Sequence, residues 1–323
     1  METPLVQQQT ANRQVSKSCS RVAACAALVF VVLGCIATVQ ADIRAVVVAG
    51  LGGDPEYTQA FAEQARQIGK AFTTLSDDDQ AVVVLHEPSA ARFLDAISDA
   101  ASHESDLFAL VMIGHGSSDS RGYRFNLPGK DPTTSDLVAA LSEVRATRQM
   151  VLVGTSSSGA VLDALAEPGR VLVSATRSGA ENNLVRFPRF FAEAFEGGAA
   201  DYDRNEILTL AEAWRYTTTA VREYYESESL LMSENAELRG DGSQLIALAR
   251  LGSLALVTGD PEVSRLLDQR LELETAFALL TARKGTMSRA TYYDELETLL
   301  LKIARLQIVI DDATGWSESD AGS

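Results

Sequence analysis

Gln149-Met-Val-Leu-Val-Gly-Thr-Ser-Ser-Ser-Gly159 joins an apolar run to a turn of small residues, and the reading of that junction decides the fold. Met150 to Val153 predicts a short buried strand, and Ala160 to Leu165 has the spacing of a helix packed on a sheet. Three consecutive hydroxyls, Ser156 to Ser158, then fall at a strand-to-helix turn. A hydroxyl placed there stands above a sheet edge near a helix N-terminus, where developing negative charge is favoured. Such a turn is equally the ordinary Ser-rich cap of a β-α loop.

Outward from this centre the same alternation recurs. Arg44 to Ala49, Ala81 to Leu85, Leu107 to Ile113 and Arg170 to Ala175 read as further strands rich in Val and Leu. Asp54-Pro55 opens a helix running to about Thr73; others follow over Pro88 to about Ser102 and Ser135 to Arg145. Continuous apolar strands alternating with helices predict a parallel sheet covered on both faces, with its ligand site at the carboxyl ends of the strands. Gly50-Leu-Gly-Gly53 lacks the spacing of a dinucleotide loop. The stretch from Gly116 to Thr134, rich in Gly, Pro and Ser, reads as a loop.

Two strand ends carry chemistry. His115, between Gly114 and Gly116, follows the third strand, and Ser156 follows the central one. If these strands are neighbours, imidazole and hydroxyl can share a cleft, with a bare backbone amide at Gly116 available to an oxyanion. His86 and His103 read as a strand end and a helix cap. An α/β-hydrolase is excluded, because Ser158 occupies its final glycine position and no histidine follows Ser156.

Strand-His-Gly followed by strand-x-x-nucleophile-x-Ser-Gly resembles the caspase and legumain superfamily of cysteine peptidases, whose second motif reads acidic-Ala-Cys-x-Ser-Gly. Ala175-Thr-Arg-Ser-Gly-Ala-Glu-Asn-Asn183 and Arg186-Phe-Pro-Arg-Phe-Phe-Ala-Glu-Ala194 extend the resemblance to bacterial legumain-like proteins, over about residues 43–245. It implies a caspase-like parallel-sheet sandwich with helices on both faces, and a catalytic pair at His115 and Ser156 with Gly116 and Gly154 lining the cleft. The departures are specific. Ser156 stands where the family has cysteine, and Gly154 where it has the acidic residue of the specificity pocket. A serine hydroxyl ionises far less readily than a thiol and needs a base oriented by a third group, for which Asp119, Asp131 and Asp136 are candidates by position. The resemblance therefore leaves two functions: a pseudopeptidase that binds or scaffolds a peptide or protein partner, and a hydrolase using a Ser156-His115 dyad.

Composition and ends frame this reading. The chain has 323 residues, 46% of them hydrophobic and 22% charged, with a formal net charge of −16. That charge argues against nucleic acid as a partner. Arg13, Lys17 and Arg21 precede an uncharged run, Val22 to Val39, and Val39-Gln-Ala41 offers small residues at the spacing a signal peptidase reads. Residues 1–41 are therefore expected to be an export signal or an N-terminal anchor, with Val32-Leu-Gly-Cys35 resembling a lipobox. The protein is expected to be periplasmic or extracellular, touching membrane only through this segment. All three cysteines, Cys19, Cys25 and Cys35, lie in it, so a chain cleaved after Ala41 has no thiol nucleophile and no disulfide.

Asp201, Asp203, Asn205 and Glu212 match positions one, three, five and twelve of a calcium loop. Glu206 stands at its turning glycine, so a degenerate loop without bound calcium or any other cofactor is expected. After the α/β domain (42–255), Glu262 to Arg283 and Ser288 to Ile310 show apolar residues at helical spacing around Lys284-Gly-Thr286, predicting an antiparallel helical hairpin over 261–312. Residues 313–323 are expected to form a disordered acidic tail.

Overall fold

The computed structural model describes residues 43–76, 78–252 and 261–314, all of them within one compact unit. The expected signal or anchor, its cysteines and nearly all of the expected tail lie outside the described residues. Among the described residues, no helix is long and apolar enough to cross a membrane.

The strongest apolar runs form the middle of the sheet. β1 (Ile43–Ala49), β3 (Ser105–Gly114) and β6 (Ala146–Thr155) are buried over most of their length, as residues covered on two faces must be. With β2 (Val82–His86), β7 (Arg170–Ser174) and β9 (Glu237–Arg239) they build a six-stranded sheet of order β2-β1-β3-β6-β7-β9. All pairings are parallel except β7 with β9. The chain leaves β1 toward β2 and returns to β3 on the other side of β1, which makes the carboxyl ends of β1 and β3 the switch point at which open α/β sheets place ligand sites.

One face is covered by α1 (Pro55–Phe72), α5 (Phe187–Glu193) and α6 (Leu210–Ser227), which pack Ile68, Phe72, Phe187, Phe191 and Val221 against Val47, Val111 and Leu152. The other carries α2 (Ala90–Ala101) and α3 (Thr134–Ser142), with Phe93, Ile97, Leu137 and Leu141 against Val46, Leu110 and Val151. Period-two alternation within each strand feeds these two cores. The architecture is a mixed α/β sandwich with a C-terminal helical segment, consistent with the caspase-like sandwich expected. α1 begins as its sequence requires, with the Asp54 carboxylate accepting from the amides of Glu56 and Tyr57 and Pro55 in the first turn.

Three expectations are corrected. The segment after Gly116 is not a plain loop but a hairpin, β4 (Gly116–Asp119) with β5 (Gly122–Phe125), closed by the two-residue turn Ser120-Arg121, after which Gly122 takes φ 108°. The helix expected over Ala160 to Leu165 ends at Leu165 as expected but opens as a 3₁₀ turn, Ser158–Val161, leaving one α-helical turn, α4 (Leu162–Leu165). At the C-terminus α7 (Pro261–Ala282) and α8 (Arg289–Thr314) form the expected hairpin, but α8 runs through Ala313 and Thr314, the first two residues assigned to the tail. The hairpin seats Val263, Leu266, Leu267 and Ile310 on Ile207 in β8 (Ile207–Thr209), which pairs with β10 (Ala247–Arg250).

Candidate functional site

β3 and β6 are neighbours, with Gly114 opposite Thr155, so His115 and Ser156 emerge side by side at the carboxyl edge. Their side chains then take different partners. Ser156 is 4% exposed, and its hydroxyl donates to the carbonyl of Gly116 at 3.0 Å while accepting from the Gly116 amide at 3.2 Å. The His115 ring turns to α1 instead, edge-on to Phe61 at 5.3 Å and to Tyr57 at 5.9 Å between centroids. Sequence reasoning missed these two aromatics. Their i, i+4 spacing on a helix following β1 was the available signal.

The grip on Ser156 follows from the hairpin. Gly116 pairs with Phe125 while the amide of Asn126 donates to the carbonyl of His115, so hydrogen-bonded pairs flank Gly116 and its own amide and carbonyl point away from β5. They meet Ser156. Glycine is required here by close approach: a Cβ at Gly116 would lie 2.6 Å from Tyr123 Cε2 and 2.7 Å from the Ser156 carbonyl oxygen. The Tyr123 hydroxyl and Thr155 Oγ1, 2.7 Å apart, seal the base of the hairpin, and burial pushes the Tyr123 pKa up.

Of the other two serines, Ser158 is also committed and Ser157 is buried. Ser158 Oγ accepts from the Thr176 amide at 3.0 Å. Ser157 adopts φ 57° and is 1% exposed, and its hydroxyl is buried with no hydrogen-bond partner among the described residues. The loop after β7 closes over this turn, with the Ser157 amide donating to the Glu181 carbonyl at 2.8 Å. Two carboxylates from beyond α6 and within the loop hold it down. Glu181 accepts from the Asn235 amide at 2.9 Å, and Glu234, 1% exposed, accepts from the amides of Arg186 and Phe187 and from the Tyr225 hydroxyl. Burial raises the Glu234 pKa against the lowering by those donors.

Gly154 is not an empty pocket wall. A Cβ there would lie 2.9 Å from Pro188 Cγ and 3.2 Å from the Met112 carbonyl, so α5 fills the space in which an acidic side chain would begin. The candidate third groups are engaged elsewhere. Asp119 pairs with Arg124 and Arg121, whose donors hold its carboxyl well below the usual range; Asp131 accepts from the Leu127 amide; Asp136 completes the capping box of α3. His103 Nδ1 lies 3.0 Å from the Asp99 carbonyl, at the end of α2 as its reading as a cap expects.

The second candidate cluster does come together. Carboxylate oxygens of Asp201, Asp203 and Glu212 lie within 4.8 Å of one another. Glu206 takes φ 60° and so makes the turn that was expected to require glycine. Asn205 donates to Asp203 at 3.2 Å and to Glu274 of α7 at 3.3 Å, a fourth carboxylate that no local pattern could reveal. Burial, then Glu212 and Glu274, push the Asp203 pKa up to about 6. This oxygen set is of the kind that holds a hard cation. Glu212 meanwhile caps α6 through Thr209 and accepts from the Tyr202 amide.

No protein-family model matches the chain, and no curated protein matches it.

Proposed function

We propose that the protein is an exported, caspase- or legumain-like pseudopeptidase, a fold that has kept the strand-end cleft and lost hydrolysis, acting as a binding or scaffolding module for a peptide or protein partner. One observation carries the reading. The serine at the nucleophile position spends its hydroxyl bridging the amide and carbonyl of Gly116, while the imidazole that would activate it packs on Tyr57 and Phe61.

The chemistry follows from that placement. A general base must reach the proton it removes, at about 2.6–3.2 Å or through one water. Here the hydroxyl proton is directed at a backbone carbonyl, and the amide best placed to bind an oxyanion is already donating to the hydroxyl. Filling of the space at Gly154 by Pro188 removes the acidic pocket that resemblance to legumains would otherwise supply. The reading requires no cofactor.

The test is turnover on peptide libraries sampling acidic, amide and basic residues before the scissile bond. No cleavage is expected from the natural protein. Reproducible cleavage that vanishes in both Ser156→Ala and His115→Ala replaces this reading with the serine hydrolase, whose two losses would not add because the pair acts as one unit. Export is tested by N-terminal sequencing of the protein recovered outside the cytoplasm, with Asp42 the expected first residue.

A further inference from the structure

The sheet has an open margin at β2. The Ala45 amide donates to the Ala81 carbonyl, and the Glu87 amide to the Ala49 carbonyl, each at 2.8 Å. Bonded residues alternate along such a ladder, so Val83 and Leu85 turn their amides and carbonyls to β1, while those of Val82, Val84 and His86 face away from it. β2 is the outermost strand, and among the described residues nothing pairs with its outer side. Sheets defend such margins with lysine, proline or a bulge. β2 has none of these. Ala81 to Leu85 carries no charge, the register with β1 is unbroken, and Val82 to Leu85 are half-buried.

The surroundings state what this margin fits. A cavity of about 540 Å³ runs beside Val82, Val83 and Val84, between β2 and α2. Because α2 runs back along β2, Asp99 near its end joins Asp78 and Asp79 beside Ala81. Asp78 is paired with Arg44 at 2.6 Å, but Asp79 and Asp99 make no ion pair among the described residues. Arg92, two turns before Asp99, lines the cavity toward the His86 end.

A strand laid on β2 points every second side chain toward α2. Those opposite Leu85 and Val83 meet apolar side chains, and the one opposite Ala81 meets Asp79 and Asp99. An extended segment of alternating apolar residues that ends in arginine or lysine therefore satisfies the backbone, the cavity and the charge together. The net charge of −16 draws the same kind of partner. A second copy of β2 does not. Paired antiparallel about Val84, the register that uses all three outward-facing residues, it would bring Glu87 to the acidic end instead.

We propose that β2 is a strand-addition site for an extended, cationic segment of a partner protein. The segment adds antiparallel, the stronger pairing per residue, with apolar residues beside Leu85 and Val83 and a basic residue toward its carboxyl end beside Asp79 and Asp99. The site lies along the side of the sheet, apart from the strand-end cleft, and does not depend on whether Ser156 is a nucleophile.

Fluorescence anisotropy with the full chain tests this, with the labelled, end-blocked peptide Thr-Val-Thr-Val-Thr-Arg as the probe. In the proposed register its valines lie opposite Leu85 and Val83 and its arginine opposite Ala81. Saturable binding is expected. Methylating the backbone nitrogens of its third and fifth residues, which face Val84 and Val82, should weaken binding at least about tenfold, and methylating those of its two valines should not. Val84→Pro removes only an outward amide, which an edge strand tolerates, and should weaken binding as much. Circular dichroism checks that this variant folds, and if it does not, the methylated peptides decide. Asp79→Asn combined with Asp99→Asn should weaken binding about threefold, exposed pairs being worth little. Absence of saturable binding overturns the proposal, as does binding indifferent to methylation of the third and fifth residues. Tighter binding of the reversed peptide, Arg-Thr-Val-Thr-Val-Thr, overturns the antiparallel orientation. A dimer seen by sedimentation velocity and lost in Val84→Pro gives the margin to a second copy and overturns the proposal likewise.

Discussion

Replacing Ser156 by alanine separates a strut from a nucleophile. The hydroxyl is the partner that the Gly116 amide and carbonyl find on the β6 side, at 3.2 and 3.0 Å, in a place where Ser156 is 4% exposed. A methyl group in its place would leave a buried donor and a buried acceptor without it. Each unsatisfied group costs roughly 1–3 kcal/mol, but relaxation of the β4-β5 hairpin recovers part of that, so a loss of about 2 kcal/mol is expected. For a domain of this size that corresponds to a fall of about 4–8 °C in Tm. The assay is thermal and urea unfolding followed by circular dichroism, with peptide turnover measured on the same preparations. Ser156→Cys should lose less, since a thiol is a weaker but usable donor and acceptor. An unchanged midpoint in Ser156→Ala together with abolished turnover would refute the strut and install the nucleophile.

Gly154→Asp, which restores the acidic residue of the family motif, should destabilise by about 1–3 kcal/mol because its side chain collides with Pro188 and the Met112 carbonyl; urea midpoints measure it, and a gain of turnover instead would show that the pocket reopens. Glu234→Ala removes the acceptor for the Arg186 and Phe187 amides and the Tyr225 hydroxyl, so limited proteolysis within 176–186 should quicken and stability should fall by about 3 kcal/mol. Asp203, with its pKa raised to about 6 in the fold, stabilises the protein when protonated. That contribution is complete below the unfolded value near 3.9 and is lost as pH rises through 6. Because the side chain is only partly withdrawn from solvent, screening leaves about 1 kcal/mol of it. Asp203→Asn should raise the urea midpoint at pH 7 more than at pH 4, and an equal effect at both pH values counts against repulsion in the cluster.

How much the sequence disclosed depended on where each structural constraint lies. β1, β3 and β6 were legible because burial on both faces demands unbroken Val, Leu and Ile, a local signature. β4, β5 and β8 to β10 were not, being three or four residues long and defined by their partners: Gly116-Ser-Ser-Asp119 becomes a strand only because it folds back on Gly122 to Phe125. The juxtaposition of His115 with Ser156 could be read from chain order, since consecutive strand ends in a parallel sheet share an edge. The direction of the Ser156 hydroxyl could not, because it depends on which edge of β4 is left unpaired. Glu206 shows the reverse limit. The sequence rule that glycine must occupy a left-handed position gave way to a turn held by Asp201, which accepts from the amides of Asn205 and Glu206.

β9 bears on how a partner can attach. A parallel sheet ending at β7 would expose a row of unpaired amides and carbonyls along Val and Leu, a template on which any extended peptide could add itself as the next strand. Three residues suffice to close it. Glu237, Leu238 and Arg239 cover Ser174, Val173 and Leu172, and the Arg239 guanidinium pairs with Glu237 at 2.9 Å and with Asp163 at 2.5 Å. The margin that remains on this side is β9 itself, three residues long and flanked by paired charge, which makes it a short and poor template for a further strand.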